Sequence, residues 1–187
     1  KSIKYLSESA KDSVDIITQT ALYVIGDCYL KSQQLDLAKQ SFYEASKLDF
    51  SSDIKEDALY NYAKLQYATS SQPFNNAIKA LEEYINKYPY STRSEEAQEY
   101  LSNIYMSTKN YQGAIKSLEK ISSKNNALMR AYQRCTYFRA MELVDNKDNR
   151  QALTLMEKSL IYPMDAQINR SALFWKGEIL YRNNQFS

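Results

Sequence analysis

Histidine is absent from the 187 residues, tryptophan appears once, cysteine twice, and glycine and proline three times each. Each shortage excludes something. Without histidine, and with Cys28 and Cys135 isolated from each other in sequence, a structural zinc site or a Cys/His nucleophile has no raw material. So few glycines and prolines leave few turn signals for strands and tight hairpins. The plentiful Ala, Leu, Lys, Glu, Gln and Ser favour helices, so the chain reads as all-α. No apolar run approaches the roughly 18 residues of a membrane span, and the first residues lack a secretory pattern. The 24 basic and 22 acidic residues, for a net charge of +2, are mixed along the chain with no block of one sign. A nucleic-acid grip needs a clustered basic surface, so nucleic acid is not an expected partner.

Catalytic constellations are missing as well. Glu82 with Glu83, and Glu95 with Glu96, are sequence neighbours that point to different faces of a helix and make poor acid/base pairs. There is no Gly-rich phosphate loop, no HExxH and no GxSxG. The expectation is a protein that is not an enzyme and needs no cofactor or metal.

What is present is helical periodicity that restarts. Ile3, Leu6 and Ala10 mark a short helix, and a second runs from about Asp15 to Ser32 with Ile16, Leu22, Ile25, Gly26 and Tyr29 inward. Leu35 leads into a helix carrying Ala38, Phe42, Ala45 and Leu48. The pattern repeats with Leu59, Ala63 and Tyr67, then Ala77, Leu81, Tyr84 and Ile85, the two helices separated by a turn containing Pro73. Pro89 stops that second helix, and Ser91 and Thr92 offer hydroxyls to the next N-terminus, Thr92 and Glu95 matching a capping box. A third hairpin follows with Leu101, Ile104 and Tyr105, then Ala114, Leu118 and Ile121. A fourth starts near Asn126, and a last helix spans roughly Asp165 to Arg182.

Small residues recur at Gly26, Ala63, Ser102, Ala140 and Gly177, spaced by 37, 39, 38 and 37, and alanines at Ala38, Ala77, Ala114 and Ala152, spaced by 39, 37 and 38. Short side chains at such a beat let paired helices approach to about 8–10 Å. Cys28 and Cys135 fall in corresponding helices of separate repeats, too distant for a disulfide, whose Cα atoms lie within about 7 Å, and each reads as a small buried hydrophobe. The expected organisation is one repeat domain over 1–187. It comprises a half-repeat over 1–14, repeats over about 15–52, 53–90, 91–125 and 126–164, and a terminal helix over 165–187. Both ends read as cuts through a longer array, so apolar residues near them (Ile3, Leu6, Leu173, Trp175) are expected to dock on flanking repeats or to self-associate.

This arrangement resembles the tetratricopeptide repeat, carried by Leu22, Ile25, Gly26, Tyr29, Ala38, Phe42 and Ala45 in the first full repeat and by Leu101, Ser102, Tyr105, Tyr111, Ala114 and Leu118 in the third. Departures are a period near 38 and Arg139 at a normally apolar position. The resemblance implies a right-handed α-α superhelix whose first helices line a concave face. Tyr88, Pro89 and Ser91, then Glu96, Ala97 and Leu101, are similar to the variant repeats of bacterial cell-envelope proteins, implying periplasm or envelope ahead of cytoplasm.

On that face the landmarks place Tyr23, Tyr60, Glu99, Tyr137 and Phe174 three residues before them, Asp27, Lys64, Asn103, Met141 and Glu178 one after, and Tyr67 and Tyr181 four after. A tyrosine-lined groove with scattered charges suits a peptide or protein partner, the rings giving contact area and the charges orientation. The Lys/Asn clamp by which some family members hold a C-terminal carboxylate is not matched. The competing readings are a structural spacer without a ligand and a carbohydrate- or RNA-binding repeat. The latter needs code residues in every repeat, and Lys64 occurs in one.

Overall fold

The computed structural model describes residues 15–71 and 74–182. The expectations for 1–14, Pro73 and the chain beyond Arg182 lie outside them. The described residues form helices and no strand: α1 (Ile16–Lys31), α2 (Leu35–Lys47), α3 (Ser52–Thr69), α4 (Asn75–Lys87), α5 (Ser94–Ser107), α6 (Tyr111–Lys120), α7 (Asn126–Asp145), α8 (Asn149–Ser159) and α9 (Ala166–Arg182). This is the all-α fold expected from the sequence, consistent with the tetratricopeptide-like helical repeat that the resemblance implies.

Short polar side chains start the odd-numbered helices. Asp15 accepts the Thr18 N–H at 2.9 Å, Asn125 that of Leu128 at 3.0 Å, and Asp165 that of Ile168 at 3.1 Å. Each satisfies a backbone donor that the first turn leaves without an intrahelical partner. Ser91, one of two hydroxyls the sequence offers before α5, receives the Arg93 N–H at 3.3 Å. The turns α1–α2 and α7–α8 share one closure. The Gln34 N–H reaches the Tyr29 carbonyl at 2.9 Å, and the Asp148 N–H reaches that of Leu143 at 2.8 Å. To make it, Gln33 (φ 60°) and Lys147 (φ 62°) adopt the left-handed conformation that favours glycine.

The chain divides into two compact units, Lys1–Tyr100 and Leu101–Ser187. In the first, α1 packs on α2, α2 on α3, α3 on α4, and α1 touches α3 directly. Its core joins Ala38, Phe42, Ala45, Ala58 and Leu65, with Leu22, Tyr23, Tyr29, Leu30 and Tyr62 against them. Phe42 is 1 % exposed, and burial of a side chain that size contributes about 1.5–3 kcal/mol. In the second unit α6 packs on α7, α7 on α8 and α8 on α9, and α7 touches α9. There Tyr137, Met141, Leu155, Leu160 and Trp175 surround Ala140, Met156 and Ala172.

Four of the small-residue landmarks, Gly26, Ala63, Ser102 and Ala140, are buried. A Cβ on Gly26 would stand 2.9 Å from two carbons of the Phe42 ring, so that glycine is what admits the ring of α2. Gly177 departs from the expectation: it is exposed, with nothing within 4 Å of an added Cβ. The close approach belongs to the side facing the second helix of a hairpin, and α9 is the last described helix. Trp175 also departs, being half-buried in the second unit's core, while Leu173 is 54 % exposed.

Periodicity does not foretell the buried polar brackets between hairpins. Gln19 of α1 is 0 % exposed; its Nε2 donates to the carbonyls of Ala45 (3.2 Å), Leu48 (2.9 Å) and Ser51 (3.3 Å), and its Oε1 accepts the Ser51 N–H at 2.7 Å. Gln133 of α7, also 0 % exposed, donates to the Asp165 carbonyl at 3.2 Å and accepts the Asp165 N–H at 2.7 Å. Glu56 of α3 stands at the same distance before its small landmark, and its carboxylate receives the hydroxyls of Ser91 and Tyr84, the latter at 3.1 Å.

Candidate functional site

In the first unit, α1, α3 and the start of α5 present a connected row of aromatic and charged side chains. Tyr23 on α1 packs edge-on against Phe42, ring centroids 5.6 Å apart, which fixes its hydroxyl toward α3. That hydroxyl donates to Asp57 Oδ2, and Arg93 forms an ion pair with Asp57 Oδ1. One turn along α3, Tyr60 donates to Glu96 Oε2, and Lys64 Nζ reaches Glu96 Oε1 at 3.0 Å, an oxygen that Tyr100 also holds. Tyr67 stacks on Tyr100 with centroids 4.6 Å apart, and the Arg93 guanidinium lies 5.0 Å over the Tyr60 ring. A tyrosine on α1 and another on α3 thus each bond an acid on the next first helix.

The electrostatics follow from those bonds. Donation by Tyr100 first, then Tyr60 and Lys64, holds the Glu96 carboxyl down from 4.5 to about 2. Burial raises the Tyr60 hydroxyl well above the ordinary tyrosine range, and its bond to Glu96 adds to the rise. Lys64 is raised, chiefly by its bond to Glu96. These groups keep their charge states across neutral pH. A general acid or base works best with a pKa near the working pH, so the row offers fixed charge and ring surface in place of proton transfer.

Beside the row lies a groove of about 500 Å³, lined by Tyr23, Asp53, Ile54, Glu56, Asp57, Ser91, Thr92 and Arg93. That volume lies inside the range of about 300–1,000 Å³ typical of ligand sites. Among the described residues no group of His, Cys, Asp and Glu could hold a metal ion. Nor is any described helix long and apolar enough to cross a membrane. Cys28 and Cys135 are free, and burial pushes the Cys135 thiol up to about 12, leaving it a core side chain.

Of the residues singled out from sequence, the structure brings together Tyr60, Lys64 and Tyr67 through Glu96 and Tyr100, while Tyr23 faces the groove. Tyr60 is only 6 % exposed, so it acts from beneath the surface. Asp27 pairs with Lys31 on its own helix at 2.6 Å, and Glu99 is exposed. In the second unit, Tyr137 and Met141 are half-buried against its core, Asn103 is exposed, and Glu178 bonds Arg182 at 2.7 Å. Phe174 and Tyr181 are 65 % and 66 % exposed. The residues missed are Asp57, Arg93, Glu96 and Tyr100. Asp57 and Glu96 both stand six places before a small landmark, Ala63 and Ser102, and that repeated acid was the available signal.

Residues 57–91 match the family model of the tetratricopeptide repeat. The matched segment begins at Asp57, takes in most of α3 and all of α4, and ends at Ser91; of the groove's lining residues it contains Asp57 and Ser91. Comparison with curated proteins finds no match. Tetratricopeptide repeats commonly mediate protein–protein interaction and are typically non-catalytic.

Proposed function

We propose that the chain is a non-catalytic protein-interaction module whose groove beside α1, α3 and the start of α5 receives a peptide segment of a partner. One observation carries the reading: a cavity of ligand size has three of its lining residues, Tyr23, Asp57 and Arg93, bonded to one another in advance. A wall ordered before binding spares the partner the entropy of ordering it. Asp27 and Glu99 flank the same helices and set orientation by charge. Asn103, Tyr137, Met141, Phe174, Glu178 and Tyr181 are the proposed contacts of the second unit, with Phe174 and Tyr181 its open aromatic surface. The proposed repeats remain 15–52, 53–90, 91–125 and 126–164. A place in envelope assembly rests on the resemblance carried by Tyr88, Pro89, Ser91, Glu96, Ala97 and Leu101, and localisation of a tagged chain decides it.

The test is selection of displayed peptides on the chain, followed by titration against Thr92→Trp, which fills the groove from an exposed position, and Asp53→Arg. Each variant is expected to weaken selected peptides by about tenfold or more, near 1.4 kcal/mol. Unchanged affinity in both variants would rule the groove out. The spacer reading has its own support, because Asp57 and Glu96 are satisfied by neighbours in the same chain. On that reading no peptide is selected.

A further inference from the structure

Arg139, the charged residue at a normally apolar repeat position, has no part in the groove above. It stands on α7 in the second unit, half-buried, where its Nη1 donates to Glu142 Oε2 of the same helix at 2.8 Å. That bond occupies one of the guanidinium's five N–H donors. Beside it a cleft of about 230 Å³ opens between α6, α7 and α8. Ile115 and Leu143, both buried, and half-buried Leu155 supply apolar lining, and exposed Lys116 and Thr154 stand at its edge with Arg139.

We propose that this cleft is an anchor site for one large apolar side chain of an acidic peptide segment in a partner protein. Its volume falls below the roughly 300 Å³ at which sites for drug-sized ligands begin, so the scale is that of a single side chain. Interfaces are commonly held by such anchors in pockets. Charge selects the flanks: Lys116 and Arg139 both line the cleft, and Glu142 is the acid paired with Arg139. A part-exposed pair three residues apart on one helix, with Glu142 the more open partner, contributes on the order of 1 kcal/mol or less, so a partner carboxylate can share or replace it. Basic flanks would meet two cations. The site lies in a different unit from the groove and does not depend on it.

The test uses the full chain, isotopically labelled, and three blocked hexapeptides: one central leucine between aspartates, the same with lysines for aspartates, and the aspartate peptide with serine for leucine. The aspartate–leucine peptide is expected to shift the amide resonances of Lys116, Leu143, Gln151 and Thr154 saturably. Its affinity should exceed that of the other two by about tenfold, the size of a modest interface contact. Lys116→Glu and Thr154→Trp, both at exposed positions, should weaken it by a similar factor with melting unchanged. Equal binding of the lysine peptide, or shifts confined elsewhere, overturns the proposal. So does tighter binding of octanoate at the same resonances, which would make the occupant a small amphiphile. Self-association that Thr154→Trp abolishes would make it a second copy of the chain, and likewise overturns the proposal.

Discussion

Gln19 grips Ser51 by both backbone polar groups at a separation of 32 residues, and Gln133 grips Asp165 in the same way at the same separation. Ser51 and Asp165 are the residues that cap the next odd-numbered helix. One buried amide therefore fixes where the following hairpin begins. A polar group at 0 % exposure is tolerated because it is fully partnered.

Replacing Gln19 by Leu strands the Ser51 N–H and removes a donor from three carbonyls. Each buried orphan costs about 1–3 kcal/mol, and partial access of water to this loop lowers the sum, so we expect a loss of about 2–4 kcal/mol. Gln133→Leu should lose a similar amount. Urea denaturation measures both, and a loss near zero would mean that the brackets are incidental to stability.

Glycine at the same landmark has opposite value in α1 and α9. Gly26→Ala drives a methyl into the buried Phe42 ring and should destabilise by about 1–3 kcal/mol. Gly177→Ala meets nothing and removes a flexible residue from a helix interior, a gain of about 0.5–1 kcal/mol. Thermal melting of the two variants checks the signs, which must differ.

Acid should act on the Glu96 cluster. A carboxyl whose folded value is lowered contributes stability that is complete above its unfolded value of 4.5 and is lost as pH falls toward about 2. Glu96→Gln should therefore be less stable than the parent at pH 7, with the gap closing between pH 5 and 2. Glu119, also lowered chiefly by its bond to Lys158, titrates in both proteins and cancels from the difference. A gap that does not change with pH would show that the carboxylate is not the stabilising form.

Gln33, Phe74 and Lys147 adopt the left-handed conformation, which costs a side chain about 1–2 kcal/mol, and the first and last of them close helix-to-helix turns of one kind. Gln33→Gly and Lys147→Gly relieve that cost, and the greater freedom of the unfolded glycine chain offsets part of it. The expected result is a gain of about 0.5 kcal/mol each, read as a small rise in melting temperature.

Helix positions and most buried residues were legible because alanine and small residues return at a regular beat, and the start near Asp15 follows from its capping carboxylate, but Ile16, read as inward, is 52 % exposed at the first turn. The candidate site was legible only in part. Tyr23, Tyr60, Lys64 and Tyr67 were found by their register against the landmarks, but register alone treats a tyrosine as surface. It does not show that Tyr60 is buried beneath Arg93 and committed to Glu96. Asp57 and Arg93 were not singled out, and Glu96 was weighed only beside Glu95 and in the envelope resemblance, since their roles depend on partners 32 to 36 residues away. Gly177 looked equivalent to Gly26 because sequence records the residue and not the ring that faces it.

The glutamine bracket also decides how this chain can be cut and reused. A cassette moved into another array must begin before Gln19 and run past Ser51, since a splice in the loop between them parts the amide from the backbone it orders. Joints at Gln33 or Lys147 would sever the Gln19–Ser51 and Gln133–Asp165 brackets in the same way, whereas a joint in the turn between α5 and α6 falls outside all three.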